Sequence, residues 1–244
     1  MRSELFSTEN LEKESAQPGL RLQNSKLLKA ELNGEFMARV GSMVAYQGQV
    51  QFEALGSGGI GKFLKQKITG EGVPLMRVRG QGDVFLAERA ADIHIIDMEQ
   101  GDALSINGAN VLAFDSTLQY DIKMVGGAGM MSNAGLFNCV FTGHGRIAVT
   151  TKGTPVVLNV DQPTYVDPQA AICWSATLQT GYHRAEQLGL GTLLGRTTGE
   201  RFTMSFAGQG FVVVQPSEEP PGGLAGAAQG QQQQGGILGN LLGQ

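Results

Sequence analysis

The sequence predicts an all-β protein: three repeated units of β-sandwich or double-stranded β-helix type, packed as one body, with a disordered C-terminal tail. Three observations predict it. Glycine is abundant, with 36 in 244 residues, while only 16% of the chain is charged. That balance favours many turns and short strands over long helices. A Gly-x-Gly sequence recurs as Gly80-Gln81-Gly82, Gly143-His144-Gly145 and Gly208-Gln209-Gly210, its first glycines 63 and 65 residues apart. Each copy lies between two runs of strand character and is read as a tight hairpin turn, which glycine's access to positive φ suits. The third observation is a second recurrence. Ala113-Phe114-Asp115-Ser116-Thr117-Leu118-Gln119 returns as Cys173-Trp174-Ser175-Ala176-Thr177-Leu178-Gln179 at an offset of 60, and Ala45-Tyr46-Gln47-Gly48-Gln49-Val50-Gln51 is a weaker copy. A period of this size marks a duplicated architecture. One unit is a strand with an aromatic, a glycine-rich loop, a strand, Gly-x-Gly and a strand. The units cover about 20–90, 91–154 and 155–216.

In chain order, residues 1–19 are polar, end in Pro18-Gly19 and are expected to form a loose arm. Leu20 to Leu32 reads as two short strands around Asn24-Ser25, ending at Asn33-Gly34. Phe36, Ala38 and Val40 alternate with polar neighbours, and Ser42 to Phe52 continues as a strand. The glycine cluster Gly56 to Gly61 precedes a strand from Pro74 to Arg79. Ala91 to Met98 holds Ile93, Ile95 and Ile96 and is a strand; Asn107-Gly108 marks a turn. Val111 to Lys123 reads as a strand or a strand pair, and Phe137 to Thr142 and Phe202 to Ala207 lead into the later Gly-x-Gly turns. His183 to Leu190 is the best short helix candidate. Residues 217–244 are rich in Gly, Ala and Gln and read as a flexible tail. The tail ends with Ile237, Leu238, Leu241 and Leu242, a candidate docking peptide.

Composition also narrows function. The net charge is −4 and no basic block exists, so nucleic acid is not expected as a partner. Met1 to Gln17 lacks the apolar core of a secretory signal, and no run of about 18 apolar residues occurs. A cytoplasmic protein is expected. Cys139 and Cys173 have no second ligand pair nearby and read as buried small hydrophobes.

No motif specifies a reaction. Gly56-Ser57-Gly58-Gly59-Ile60-Gly61-Lys62-Phe63 has the spacing of a phosphate-binding loop. Phe63 stands where Ser or Thr would hold Mg²⁺, and no parallel α/β sheet is indicated, so a glycine loop is the better reading. His94, His144 and His183 are scattered; His144 matches Gln81 and Gln209, which argues for an exposed turn residue rather than a ligand. Asp97 with Glu99, and Asp161 with Asp167, read as acidic surface residues. No catalytic, cofactor-binding or metal-binding residue is assigned, and no cofactor is expected. The apolar glycine loops at 125–137 and 188–195 are best read as buried or as subunit interface, with membrane-surface contact and ligand binding as the alternatives.

The stretch Gly41-Ser42-Met43-Val44-Ala45-Tyr46-Gln47-Gly48, the glycine loop with Lys62, Gly80-Gln81-Gly82 with the following Phe85-Leu86-Ala87, and Thr177-Leu178-Gln179 form a combination. It resembles the bacterial branch of the altered-inheritance-of-mitochondria family over about 20–216. The resemblance implies a fold similar to the tryptophan RNA-binding attenuator protein, repeated three times in one chain, and it implies self-association. A mitochondrial relative is linked to inner-membrane organisation. The family has no established catalytic residues, so none carries over. The attenuator protein binds RNA through a basic rim, and this acidic chain has no comparable Lys-rich rim.

A non-enzymatic homo-oligomeric scaffold or interaction protein is therefore expected. It would meet protein partners through its tail or its apolar glycine loops. The alternative is a small-ligand module with a site between repeats or subunits. Tyr46, Phe114 and Trp174 would line that site, or would serve as core aromatics instead.

Overall fold

The computed structural model of the chain describes residues 3–13, 18–55, 73–124, 137–184 and 202–217. These residues form β-strands joined by short turns, with no α-helix among them. First come β1 (Gly19–Asn24) and the long strands β2 (Leu27–Arg39), β3 (Met43–Ala54) and β4 (Leu75–Leu86). Next come β5 (Asp92–Met98), β6 (Ala103–Asn107), β7 (Val111–Asp115), β8 (Gln119–Met124), β9 (Phe137–Thr142) and β10 (Gly145–Thr151). The last are β11 (Val156–Val160), β12 (Thr164–Val166), β13 (Ala171–Ser175), β14 (Gln179–Arg184), β15 (Phe202–Ala207) and β16 (Gly210–Val214).

Every pairing is antiparallel. A seven-stranded sheet runs β3-β4-β2-β7-β10-β5 with β1 beside β2; a six-stranded sheet runs β11-β16-β13-β6-β9-β8; a three-stranded sheet runs β12-β15-β14. Alternation along the strands sends apolar side chains to one face. They collect in three clusters, one of them around Phe114, Phe141 and Ile147 and another around Trp174, Phe206 and Met204. Phe114 meets Phe141 edge-to-face at 4.9 Å and Tyr120 at 5.0 Å. Each such ring pair adds about 0.5–1.5 kcal/mol to what burial alone supplies.

One pairing scheme recurs. Among β5–β10, the sixth strand pairs with the first and third, and the fifth with the second and fourth. Among β11–β16 the same four pairings occur: β16 with β11 and β13, and β15 with β12 and β14. The long strands β2, β3 and β4 follow the scheme too when each is divided at its glycines, Gly34, Gly48 and the Gly80–Gly82 segment.

That division corrects the expected hairpins. Gly80 and Gly82 are not a turn: they sit inside the continuous strand β4, opposite Gly34 and Leu32 on β2 and opposite Val50 and Gly48 on β3. Gly143–Gly145 and Gly208–Gly210 do stand at sharp turns, but the strands they join are not hairpin partners. β9 lies in the six-stranded sheet and β10 in the seven-stranded one; β15 lies in the three-stranded sheet and β16 in the six-stranded one. These glycines turn corners between sheets. The physical reason is that Gly-x-Gly supplies a permissive backbone without choosing the partner of the strand that follows; that choice rests on long-range register.

Three further expectations meet differences. β2 does not end at Asn33-Gly34 but continues to Arg39. His183 and Arg184 close β14 instead of opening a helix, and 185–190 lie outside the described residues. The N-terminal arm is tied down in part: Gln23 Nε2 donates to the Leu11 carbonyl at 2.8 Å, and Lys13 N donates to Gln23 Oε1 at 3.0 Å.

Candidate interaction surface

The three matched aromatics have different fates. Phe114 pairs with Ile147 on β10, Trp174 with Val212 on β16 and Tyr46 with Val84 on β4. Each partner lies four residues after the first glycine of its Gly-x-Gly. On the other side, β2 pairs with β7 and sets Met37 opposite Phe114, while β6 pairs with β13 and sets Ser105 opposite Trp174. Those two pairings join successive parts of the chain and help enclose Phe114 and Trp174, which are buried. Among the described residues no strand pairs with the outer side of β3, and Tyr46 stays exposed beside Met43 and Val44.

A polar clamp reinforces each junction. Arg39, at the end of β2, donates from Nη2 to the Gly108 carbonyl at 2.6 Å and from Nε to the Val111 carbonyl at 2.9 Å. Asn107, at the end of β6, donates from Nδ2 to the Ala171 carbonyl at 3.1 Å and the Pro168 carbonyl at 3.2 Å. In both cases the accepting carbonyls lie three and six residues before the buried aromatic. Burial lowers the Arg39 pKa from its ordinary value, and the nearby Glu88 charge acts the other way. Sequence reading missed these clamps. A signal existed: Arg39, Asn107 and Asp167 each stand seven residues before a matched aromatic. Lys29 was missed as well. Its side chain is 4% exposed, and its ammonium meets Glu12 at 2.6 Å, Asp83 at 3.3 Å and Glu31 at 3.5 Å. Burial opposes its charge, yet the hydrogen bonds and charges of Glu12 and Asp83 prevail and its pKa is raised.

The reactive residue types do not converge. Cys139 and Cys173 are buried and free, and burial pushes both thiols up to about 12. A thiol reagent at pH 8 is expected to leave the folded chain unmodified and to find both cysteines once it is denatured; prompt labelling of the folded chain would overturn this placement. The folded chain keeps these protons above the ordinary thiol value of 9.0, where an unfolded chain releases them. Their contribution is therefore present below about pH 9 and lost as pH rises from there toward 12.

His94 Nε2 lies 3.0 Å from Thr151 Oγ1; His144 and Gln209 are exposed at their corners, and Gln81 is exposed within β4. Asp97 pairs with Arg146 at 3.1 Å. No group of three His, Cys, Asp or Glu that could hold a metal occurs among the described residues. The phosphate-loop-like segment 56–63, the apolar glycine loops at 125–136 and 188–195, and Ile237, Leu238, Leu241 and Leu242 lie outside the described residues.

Apolar surface stands on strands that are outermost among the described residues. β3 presents Met43, Val44 and Tyr46; β11 presents Val156, Val157 and Leu158; β12 presents Tyr165. Outermost strands are templates for pairing with another chain.

Fold and surface thus define an all-β protein of antiparallel sheets that meet at glycine corners and end in apolar edges. The family model described as mitochondrial biogenesis AIM24 matches residues 20–217, and the chain belongs to that family. No curated protein matches it in sequence. A crystal structure of a Streptococcus pyogenes protein is similar, with a TM-score of 0.64 and 22% identity, covering 83% of this chain and 94% of that one. At that identity the likeness concerns the fold. Among the described residues no helix is long and apolar enough to cross a membrane.

Proposed function

We propose that the chain is a non-enzymatic oligomeric scaffold, three equivalent six-strand units in one body, that works by offering strand edges to other protein chains. The observation that carries this reading is the row of large apolar side chains on outermost strands, Met43, Val44 and Tyr46 on β3 and Val156, Val157 and Leu158 on β11. Each Å² of apolar area removed from water contributes about 25 cal/mol, so such rows favour being covered. The recurring pairing scheme supports the equivalence of the units and, with it, the attenuator-like fold of each. A ligand site between repeats is less favoured, because Phe114 and Trp174 are packed into the core.

Light scattering on the full chain over a wide concentration range tests the reading. A defined multiple of the chain mass is expected. A monomer at every concentration would overturn it.

A further inference from the structure

The second glycine of each Gly-x-Gly sets a common register for the strand that opens each unit. Gly82 lies opposite Leu32, Gly145 opposite Met98 and Gly210 opposite Val160. Counted back from those partners, Leu28, Lys29 and Ala30 of β2 match His94, Ile95 and Ile96 of β5 and Val156, Val157 and Leu158 of β11. What covers these places differs. On β2, β1 pairs along the outer side, with Leu20 opposite Ala30 and Leu22 opposite Leu28. Glu12 and the Lys13 carbonyl of the arm accept from Lys29 Nζ. All three β2 residues are buried. β5 is met by the turn after β1, where Ile93 N donates to the Ser25 carbonyl at 2.7 Å, and Ile95 and Ile96 are half-buried. The chain ahead of the first unit thus serves two of the three opening strands. On the third, β11, Val156 is 55%, Val157 63% and Leu158 36% exposed. Among the described residues no strand pairs with its outer side.

β11 is also unguarded. Charged side chains on an edge strand oppose a further strand. β8, at the other edge of the six-stranded sheet, carries Asp121 and Lys123, and β5 carries Asp92 and Asp97, whereas Val156-Val157-Leu158-Asn159-Val160 has no charge. The chain leaves the body beside this edge. Val214 pairs with Val156. Gln215 N donates to the Ala170 carbonyl at 2.9 Å, and Gln215 Oε1 accepts from Lys152 N at 2.9 Å. A Cβ on Gly153 would lie 3.0 Å from Pro216 Cγ. Residues 214–216 are therefore anchored next to the start of β11. Residues 218–244 follow, outside the described residues. From Pro220 onward they hold no Asp, Glu, Lys or Arg, and their main aliphatic group is Ile237, Leu238, Leu241 and Leu242. The residues between Ser217 and Ile237, at up to about 3.3 Å each, span several times the roughly 17 Å of a five-residue strand.

We propose that residues 237–242 seat on the outer side of β11 of their own chain as an added antiparallel strand, as β1 does on β2. Ile237 takes the place of Leu20, opposite Leu158, and Leu238 lies opposite Val157. Gly236 precedes Ile237 as Gly19 precedes Leu20. The added strand satisfies the outward main-chain groups of β11 and covers its apolar row, the physics by which an extended peptide augments a sheet. The seated segment keeps this edge from other chains until one of them displaces it. This rests on the scaffold reading and names the regulation of one of its edges.

The test uses the full chain. Oxidation of a chain carrying Leu158→Cys and Ile237→Cys closes an intrachain disulfide at least about tenfold faster than oxidation of one carrying Ile122→Cys and Ile237→Cys, whose first cysteine stands on the charged edge β8. A tethered segment without a seat would meet the two edges at similar effective concentration. Equal rates would overturn the seating, and so would covalent dimers in place of closed single chains, which would make a second copy the occupant. Light scattering reads the regulation. A segment seated nine-tenths of the time leaves the edge open for about one-tenth, so a chain carrying Ile237→Asp and Leu238→Asp associates about tenfold more tightly than the wild type. Equal association of the two chains would overturn the proposal while the scaffold stands. If both are monomeric at every concentration, the scaffold reading falls, and the disulfide rates still decide the seating.

Discussion

Alanine at Gly82 is expected to destabilise the chain by about 3 kcal/mol or more, lowering the melting midpoint by about 10 °C. Two costs combine. Gly82 has φ of +140°, a region that L side chains rarely adopt. A Cβ there would overlap the Gln47 carbonyl oxygen and lie 3.0 Å from the Gly48 Cα. Both obstacles are backbone of a paired strand, so neither moves without breaking the β3–β4 ladder. Gly48 answers in kind: its own Cβ would lie 2.6 Å from the Gln81 carbonyl oxygen. Gly41 is the control, because it has φ of +85° and open space around a would-be Cβ. Gly41→Ala is expected to cost about 1–2 kcal/mol, the conformational part alone. Denaturant unfolding of both variants measures the difference, and equal losses would show that close approach of the strands plays no role.

Arg39→Ala is the second large loss, about 3 kcal/mol. The substitution orphans the carbonyls of Gly108 and Val111, each costing about 1–3 kcal/mol when buried without a donor, and leaves the volume of the side chain unfilled. Arg39→Lys is expected to recover part of that, since an ammonium reaches one carbonyl well but lacks the fork that spans two. The diagnostic readout is local. Hydrogen exchange should rise first at the amides of β7, which β2 pairs with through Met37 and Phe114. Uniform acceleration across all sheets would mean that Arg39 supports general packing rather than this junction.

Much of the strand content was legible because alternation and glycine punctuation are local. Ala91 to Met98 shows Ile93 and Ile95 at strand spacing, and β5 runs Asp92–Met98. The Asn107-Gly108 turn was legible for the same reason, with Asn107 Oδ1 accepting from Ala109 N. Partner choice was not legible. Gly80-Gln81-Gly82 and Gly143-His144-Gly145 look alike as sequence, yet one is crossed by a single strand and the other divides two sheets. The difference lies in what pairs alongside. β2 and β3 continue past β4 on both sides of the glycines, whereas β9 and β10 each find separate neighbours. The fates of Tyr46, Phe114 and Trp174 were hidden in the same way, since a side chain's burial there depends on a strand from another part of the chain. Arg39 and Asn107 escaped notice because one clamp task is done by two residue types, and a search for identity passes over shared hydrogen-bonding capacity.

The glycine corners carry a consequence for how the body comes apart. β9 and β10 are consecutive, yet they anchor in different sheets, and so do β15 and β16. A segment between two corners cannot be peeled off without tearing ladders in two sheets at once. In stacked solenoids each repeat touches only its neighbours and can melt or be deleted singly. Here the interlacing removes that freedom. Heat should find one cooperative transition, and no stretch between two corners can be removed without leaving strand edges open in two sheets.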